Sequence, residues 1–172
     1  KCELYLRKPK LGSSTTKSDD VVFDFLKKHT CDILMWINPI APMLEKKDII
    51  EVINYFTAKK LNSLITTHEA NVHSLIINKN KKLKPINFTY KTKFEKTQNL
   101  NPIKLMNYCI MMWRSETFLK SMRKNNSAIL HGKVGYYNLD PYKSIIIKNK
   151  RDLNLIENLL NKNLNKKIKY YK

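Results

Sequence analysis

The residues able to do chemistry are sparse in this chain and widely spaced. His68 and His73 lie five apart with Glu69 between them, which is not a zinc-ligand spacing on a helix. They follow a strand end, so a loop is predicted there, with solvent the plainer destination for both rings and an acidic ligand the sharper one. His29 and His131 are the remaining histidines. No Ser/His/Asp or Cys/His constellation emerges, because Cys31 and Cys109 border or begin apolar runs and read as core. With Cys2 they make an odd, unclustered set, which indicates neither a disulfide framework nor a zinc site and fits a reducing, cytoplasmic setting. Three glycines (Gly12, Gly132, Gly135) stand where ordinary usage gives about a dozen. Neither GxGxxG nor a GxxxxGKS/T loop occurs, so no glycine-rich phosphate cradle is present. The segment with most to offer is Asp32 to Ile53, DILMWINPIAPMLEKKDIIEVI, read as a strand, a proline-bracketed loop and a helix. In open α/β sheets, ligands bind where such loops leave the carboxyl ends of strands.

The elements that must position this segment follow from apolar periodicity. Ile33–Ile37 is a continuous apolar run, suited to a strand covered on both faces. Asn38-Pro39 breaks it, Pro42 stiffens the return, and Ile49, Ile50, Ile53 and Phe56 recur at helical spacing over Lys46–Lys59. Upstream, Cys2–Leu6 reads as a short strand and Gly12–Lys17 as a polar loop. Ser18-Asp19-Asp20 then caps a helix with Val21, Val22, Phe25 and Leu26 on one face. Downstream, Leu61–Thr67 is a strand and residues 68–102 an excursion, such as a hairpin with long loops. Cys109–Trp113 is a buried strand, and Ser115-Glu116 opens a helix. Gly132–Leu139 and Ser144–Ile147 are strands, and Arg151–Leu164 is a helix with Leu153, Ile156, Leu159 and Leu160 inward. Trp36 and Trp113 read as core, and Met106, Met111 and Met112 as apolar fill. Strands alternating with helices predict an α/β fold, a three-layer Rossmann-like domain with a mainly parallel sheet.

With 172 residues the chain is expected to form one domain over residues 1–160, followed by a basic low-complexity tail over 161–172. No stretch approaches the ~20 apolar residues of a membrane span. The chain starts at Lys1, and CELYL reads as a strand already under way, so its opening portion is expected to be missing. The 33 basic and 14 acidic residues leave a net charge of +19, which raises the question of nucleic acid. Only four basic residues are arginine (Arg7, Arg114, Arg123, Arg151), whereas base and phosphate forks favour arginine. The lysines are spread along the chain and enriched together with asparagine and isoleucine. A solvated basic surface is therefore the expectation, and a nucleic-acid-binding module the alternative from another class.

Taken in order, these pieces resemble the acylneuraminate cytidylyltransferase family, which makes CMP-sialic acid and related CMP-activated acid sugars. LRKPKLGSST (Leu6–Thr15) is similar to the family's LRP-x-x-LASDT, with Ser13 on its serine and Ser14 in place of its aspartate. INPIAPMLEKKDI (Ile37–Ile49) is similar to LQPTSPLR-x-x-x-DI, with Asn38 on the glutamine and Leu44 on the arginine. KTQNLNP (Lys96–Pro102) resembles RQ-x-LP, with Gln98 on the glutamine. NYCIMM (Asn107–Met112) resembles NGAIYI, with Asn107 on the sugar-facing asparagine and a bulky Tyr108 on the glycine. The closing S-x-DID-x-x-x-D-x-x-x-AE stretch looks like SIIIKNKRDLNLIENLL, with Asp152 and Glu157 matching. The family's metal-holding aspartate pair falls on Ile146 and Lys148.

The resemblance implies a fold of the nucleotide-diphospho-sugar transferase type. It implies cytidylyl transfer from CTP to an acidic sugar, releasing pyrophosphate, for surface glycan synthesis. Ser13 and Asn38 would bind nucleotide, and Gln98 and Asn107 the sugar, whereas the catalytic residues stay unassigned. Mg²⁺ is the family's cofactor, yet isoleucine and lysine offer it no oxygen ligand. The family's opening triphosphate loop has no counterpart here. A degenerate homologue that binds nucleotide, sugar or a partner without turnover is accordingly the first alternative. The 68–102 excursion is a reasonable place for a partner subunit in a homodimer.

Overall fold

In the computed structural model, which describes residues 3–91 and 93–164, helices and strands alternate through much of the chain. Helix α1 (Ser18–Lys28) leads to strand β1 (Ile33–Ile37), helix α2 (Lys46–Ala58) and strand β2 (Ser63–Ala70). A hairpin, β3 (Leu75–Ile77) and β4 (Leu83–Pro85), intervenes before the long strand β5 (Ile103–Arg114). Helix α3 (Ser115–Asn125), strand β6 (Val134–Asn138) and helix α4 (Lys150–Leu164) complete the order. Four strands form one sheet in the order β1-β5-β2-β6, and β3 with β4 forms another.

Strand direction follows from what connects the strands. β2 and β6 run the same way, with Asn62 N–H donating to Lys133 O at their starts and Leu139 N–H to Thr67 O at their ends. β5 is reached through a hairpin rather than a crossover helix, and it returns reversed. Its register against β1 is antiparallel, from Ile33 opposite Arg114 to Ile37 opposite Ile110. Three strands of the mixed α/β sheet therefore share a direction and β5 opposes them. β1 lies at the sheet's edge and is half-buried, a correction to the expectation of a strand covered on both faces.

Two compact units share these elements. The first holds residues 3–38, 46–65 and 110–137. Its main core joins Val22 and Leu26 of α1 to Phe118 and Met122 of α3, with Ile65, Met111, Trp113 and Ala128. Trp113 Nε1 donates to Ile129 O at 2.8 Å, so the buried indole keeps its hydrogen bond. Alternation along β5 turns Ile110 and Met112 away from this cluster, and both are buried as well. The second unit holds residues 39–45, 138–164 and the described residues of 66–109.

Several local expectations give way to tertiary demands. Residues 3–6 form no strand: Leu4 and Leu6 are 85% and 77% exposed. Tyr5 does find partners, with its hydroxyl on Asp24 and its ring edge-on to Phe25. Ser18 is the first residue of α1 rather than its cap, and Asp19 is diverted elsewhere. Asp19 Oδ1 accepts the N–H groups of Ala128 and Ile129 at 2.6 and 3.1 Å, two donors otherwise left in a half-buried turn. α2 turns Asp48, Val52 and Phe56 inward, at i,i+4 spacing, and leaves Ile50 and Ile53 exposed. Ser144–Ile147 belongs to no strand, although Ile147 N–H donates to Ile40 O at 2.9 Å. β6 begins only after Gly132, whose φ of +59° sets a left-handed turn that a side chain could not take without meeting Asn62. Leu160 is exposed rather than inward, although α4 runs to Leu164 as expected of that helix. The rest of the expected tail, 165–172, lies outside the described residues. Among those described, no helix is long and apolar enough to cross a membrane.

Candidate functional site

Asn107 is the polar residue most firmly held in β5. It is buried, and its side chain ties three segments of the second unit together. Thr66 Oγ1 donates to Asn107 Oδ1 at 2.6 Å, and Cys109 N–H donates to the same oxygen at 3.1 Å. Asn107 Nδ2 donates in turn to Ser144 Oγ at 2.9 Å, and that hydroxyl donates to Asp140 O at 3.0 Å. The next residue, Tyr108, takes φ +57°, a left-handed conformation that a bulky residue rarely adopts. Its ring is accommodated by turning outward, where it is 44% exposed. Burial raises the Cys109 thiol to about 11, so this cysteine stays protonated and inert near neutral pH.

Asn107 and Ser144 form part of the wall of a cleft of about 300 Å³ within the second unit. Ile146, Lys148, Asn149 and Asp152 supply another part, with His68 and Met106 beside them. The start of α4 is organised here by reciprocal capping. Asn149 Oδ1 accepts the N–H groups of Arg151 and Asp152 at 2.9 and 3.1 Å. Asp152 Oδ2 reaches back to accept those of Lys148 and Asn149 at 2.8 and 3.1 Å. This is a capping box with asparagine at the cap and aspartate at the third helical position. Asp152 is thus a helix-capping carboxylate.

His68 lies inside β2, not in a loop, and its half-buried ring lines the cleft. Its Nδ1 is buried without a hydrogen-bond partner among the described residues, as is Thr67 Oγ1. His73 is likewise not solvated: its ring stacks on Phe94 at 4.0 Å and meets Phe88 edge-on. Both outcomes correct the expectation of solvent-facing histidines. For His68 the cause is that β2 runs three residues beyond the predicted Thr67; for His73 it is the ring contacts with Phe88 and Phe94. Met106, expected as apolar fill, is 44% exposed at the cleft.

Of the four residues singled out in the sequence, Gln98 and Asn107 belong to the second unit, Ser13 and Asn38 to the first. Gln98 is exposed in the short helical turn Thr97–Asn99. Ser13 is exposed just after the turn Pro9–Gly12, and its Oγ accepts Thr15 N–H at 3.3 Å. Asn38 is half-buried directly after β1. Asn107, Ile146 and Lys148 come together in one cleft. Thr66 and Ser144 escaped sequence reasoning because nothing in their spacing marks them. Asn149 was discoverable, since an asparagine three residues before an aspartate at a helix start is a capping pattern.

The donor set does not fit Mg²⁺, which takes oxygen ligands in near-octahedral order. Ile146 has no donor, Lys148 brings a positive charge, and Asp152 already accepts two N–H groups on one oxygen. Among the described residues no three His, Cys, Asp or Glu side chains gather as a metal-holding group.

No protein-family model and no curated protein matches this chain. The fold is nevertheless definite: a mixed α/β domain with a mostly parallel sheet, of the nucleotide-diphospho-sugar transferase type. A solved structure similar to it is that of 4-diphosphocytidyl-2C-methyl-D-erythritol synthase from Anaerococcus prevotii DSM 20548. The TM-score is 0.61 over 86% of this chain and 68% of that one, at 12% sequence identity.

Proposed function

We propose that this chain is a cytidylyltransferase-type protein that handles CTP and an acidic, sialic-acid-like sugar in the cytoplasm. The observation that carries the reading is the cleft at Asn107. Three positions that the sequence resemblance assigns to sugar and metal (107, 146 and 148) line one cavity. The diphosphocytidyl compound in the name of the structural neighbour supports cytidine nucleotide as the donor class. In the proposed reaction a sugar hydroxyl oxygen attacks the α-phosphorus of CTP, the bond to pyrophosphate breaks, and the hydroxyl proton leaves to solvent or a base. Catalysis of such transfer is chiefly alignment and charge stabilisation. Ser13 and Asn38 are proposed to contact nucleotide, and Gln98 and Asn107 the sugar, within residues 1–160.

A second reading, binding without turnover, is favoured by one observation: Ile146 and Lys148 replace the carboxylates that the resemblance expects. One experiment separates the two. The protein is titrated calorimetrically with CTP and then assayed for pyrophosphate release with CTP, N-acetylneuraminic acid and Mg²⁺. Binding with release establishes the transferase, and binding without release the non-catalytic homologue. Absence of CTP binding overturns both.

A further inference from the structure

We infer that the cleft beside Asn107 takes a phosphate group directly, with Lys148 supplying the positive charge that a divalent cation would otherwise bring. The inference rests on the reading of this cleft as the ligand site, and it concerns how charge is balanced there. The cleft's one carboxylate is Asp152, which the capping box holds against the N–H groups of Lys148 and Asn149. Lys148 is an exposed residue that takes part in no ion pair among the described residues. A metal ion placed here would meet a like charge and no free pair of carboxylates, whereas an anion would meet an available cation beside an Asp152 carboxylate whose charge two N–H groups already offset.

Neutral donors complete the picture. An amide nitrogen carries two N–H groups, and Asn107 gives one to Ser144 Oγ, so the second remains for a ligand oxygen. His68 lines the same space, while its Nδ1 is itself buried and without a hydrogen-bond partner among the described residues. One ammonium, an amide N–H and an imidazole form a donor set for a phosphate group and a poor one for Mg²⁺.

The test is calorimetric titration of the full chain with inorganic pyrophosphate and, separately, with CTP, each in EDTA and in excess Mg²⁺. Affinities that agree within about two-fold with and without the metal are expected. Lys148→Ala should weaken both ligands roughly ten-fold or more, as loss of a charged contact does, while Lys120→Ala on the other unit should leave them unchanged. The double variant Ile146→Asp/Lys148→Asp, checked for folding by circular dichroism, should lose binding in EDTA and regain it with Mg²⁺. Binding that requires Mg²⁺ in the unaltered chain, or an equal effect of Lys148→Ala and Lys120→Ala, overturns the inference and leaves the cytidylyltransferase reading standing. Pyrophosphate binding without CTP binding does the reverse. If neither ligand binds, both fall.

Discussion

Tyr108 shows at the scale of one residue how the cleft departs from local preference. A left-handed non-glycine residue costs about 1–2 kcal/mol, and such strain gathers at sites where surrounding structure overrides it. The override is visible on both sides: the Asn107 amide is tied to Thr66 and Ser144, and Cys109 is fully buried. Tyr108→Gly should therefore stabilise the fold by on the order of 1 kcal/mol, once glycine's greater freedom in the unfolded chain is deducted. The urea midpoint measures it. A lower midpoint for the variant would mean that ring contacts outweigh backbone strain. The sequence places tyrosine at this position, but the sign of φ depends on pairing partners far along the chain and is not legible locally.

Among the elements, legibility followed the range of the forces involved. Ile33–Ile37 and the start of α3 at Ser115 were readable to the residue, because a dense apolar run and a polar break carry the signal themselves. Ile145–Ile147 has the same composition as a strand but finds no ladder, and Cys2–Leu6 fails likewise over its described residues. The sequence ends β2 too early because His68 and Glu69 look like a loop until cross-strand partners are known. Lys104 pairs with Glu69, giving that polar end a reason to stay extended. The start of α4 allows a direct check. Replacing Asn149 with alanine removes an acceptor for two helix N–H groups and should cost about 1 kcal/mol. The readout is thermal unfolding, and the amides of 151 and 152 should lose hydrogen-exchange protection with it. Unchanged exchange there would show that the box contributes nothing. Of the site, the resemblance singles out 107 for sugar and 146 and 148 for metal separately, and it is the fold that puts all three on one cleft. The roles proposed for Ser13, Asn38, Gln98 and Asn107 depend on ligands.

For the whole molecule the governing facts are a net charge of +19 and an apolar hairpin. In β3 and β4, Leu75, Ile76, Ile77 and Leu83 are all exposed, Ile77 to 67%. An isolated two-stranded hairpin is marginal in water, and apolar groups displayed together mark an interface. A homodimer formed through this hairpin is the proposed use of the excursion. Because the copies carry like charge, dimerisation should strengthen as salt is raised. Sedimentation from low to high salt should show a rising dimer fraction, and Ile77→Lys should abolish it. Association with nucleic acid has the opposite salt dependence, so the same titration with a duplex added separates the two uses of a basic surface. A chain that stays monomeric at every salt concentration would remove the dimer.

The edge position of β1 has a consequence for handling the protein. Ile33–Ile37 contains no charge, proline or glycine, and among the described residues its outer side pairs with no strand. An unpaired apolar edge of that kind is a template for cross-β stacking. Asp32 on one flank and Asn38-Pro39 on the other are the gatekeepers that stop the run from lengthening. In a concentrated or warmed sample, fibril growth would start from this edge, and the five residues between those gatekeepers would form the spine.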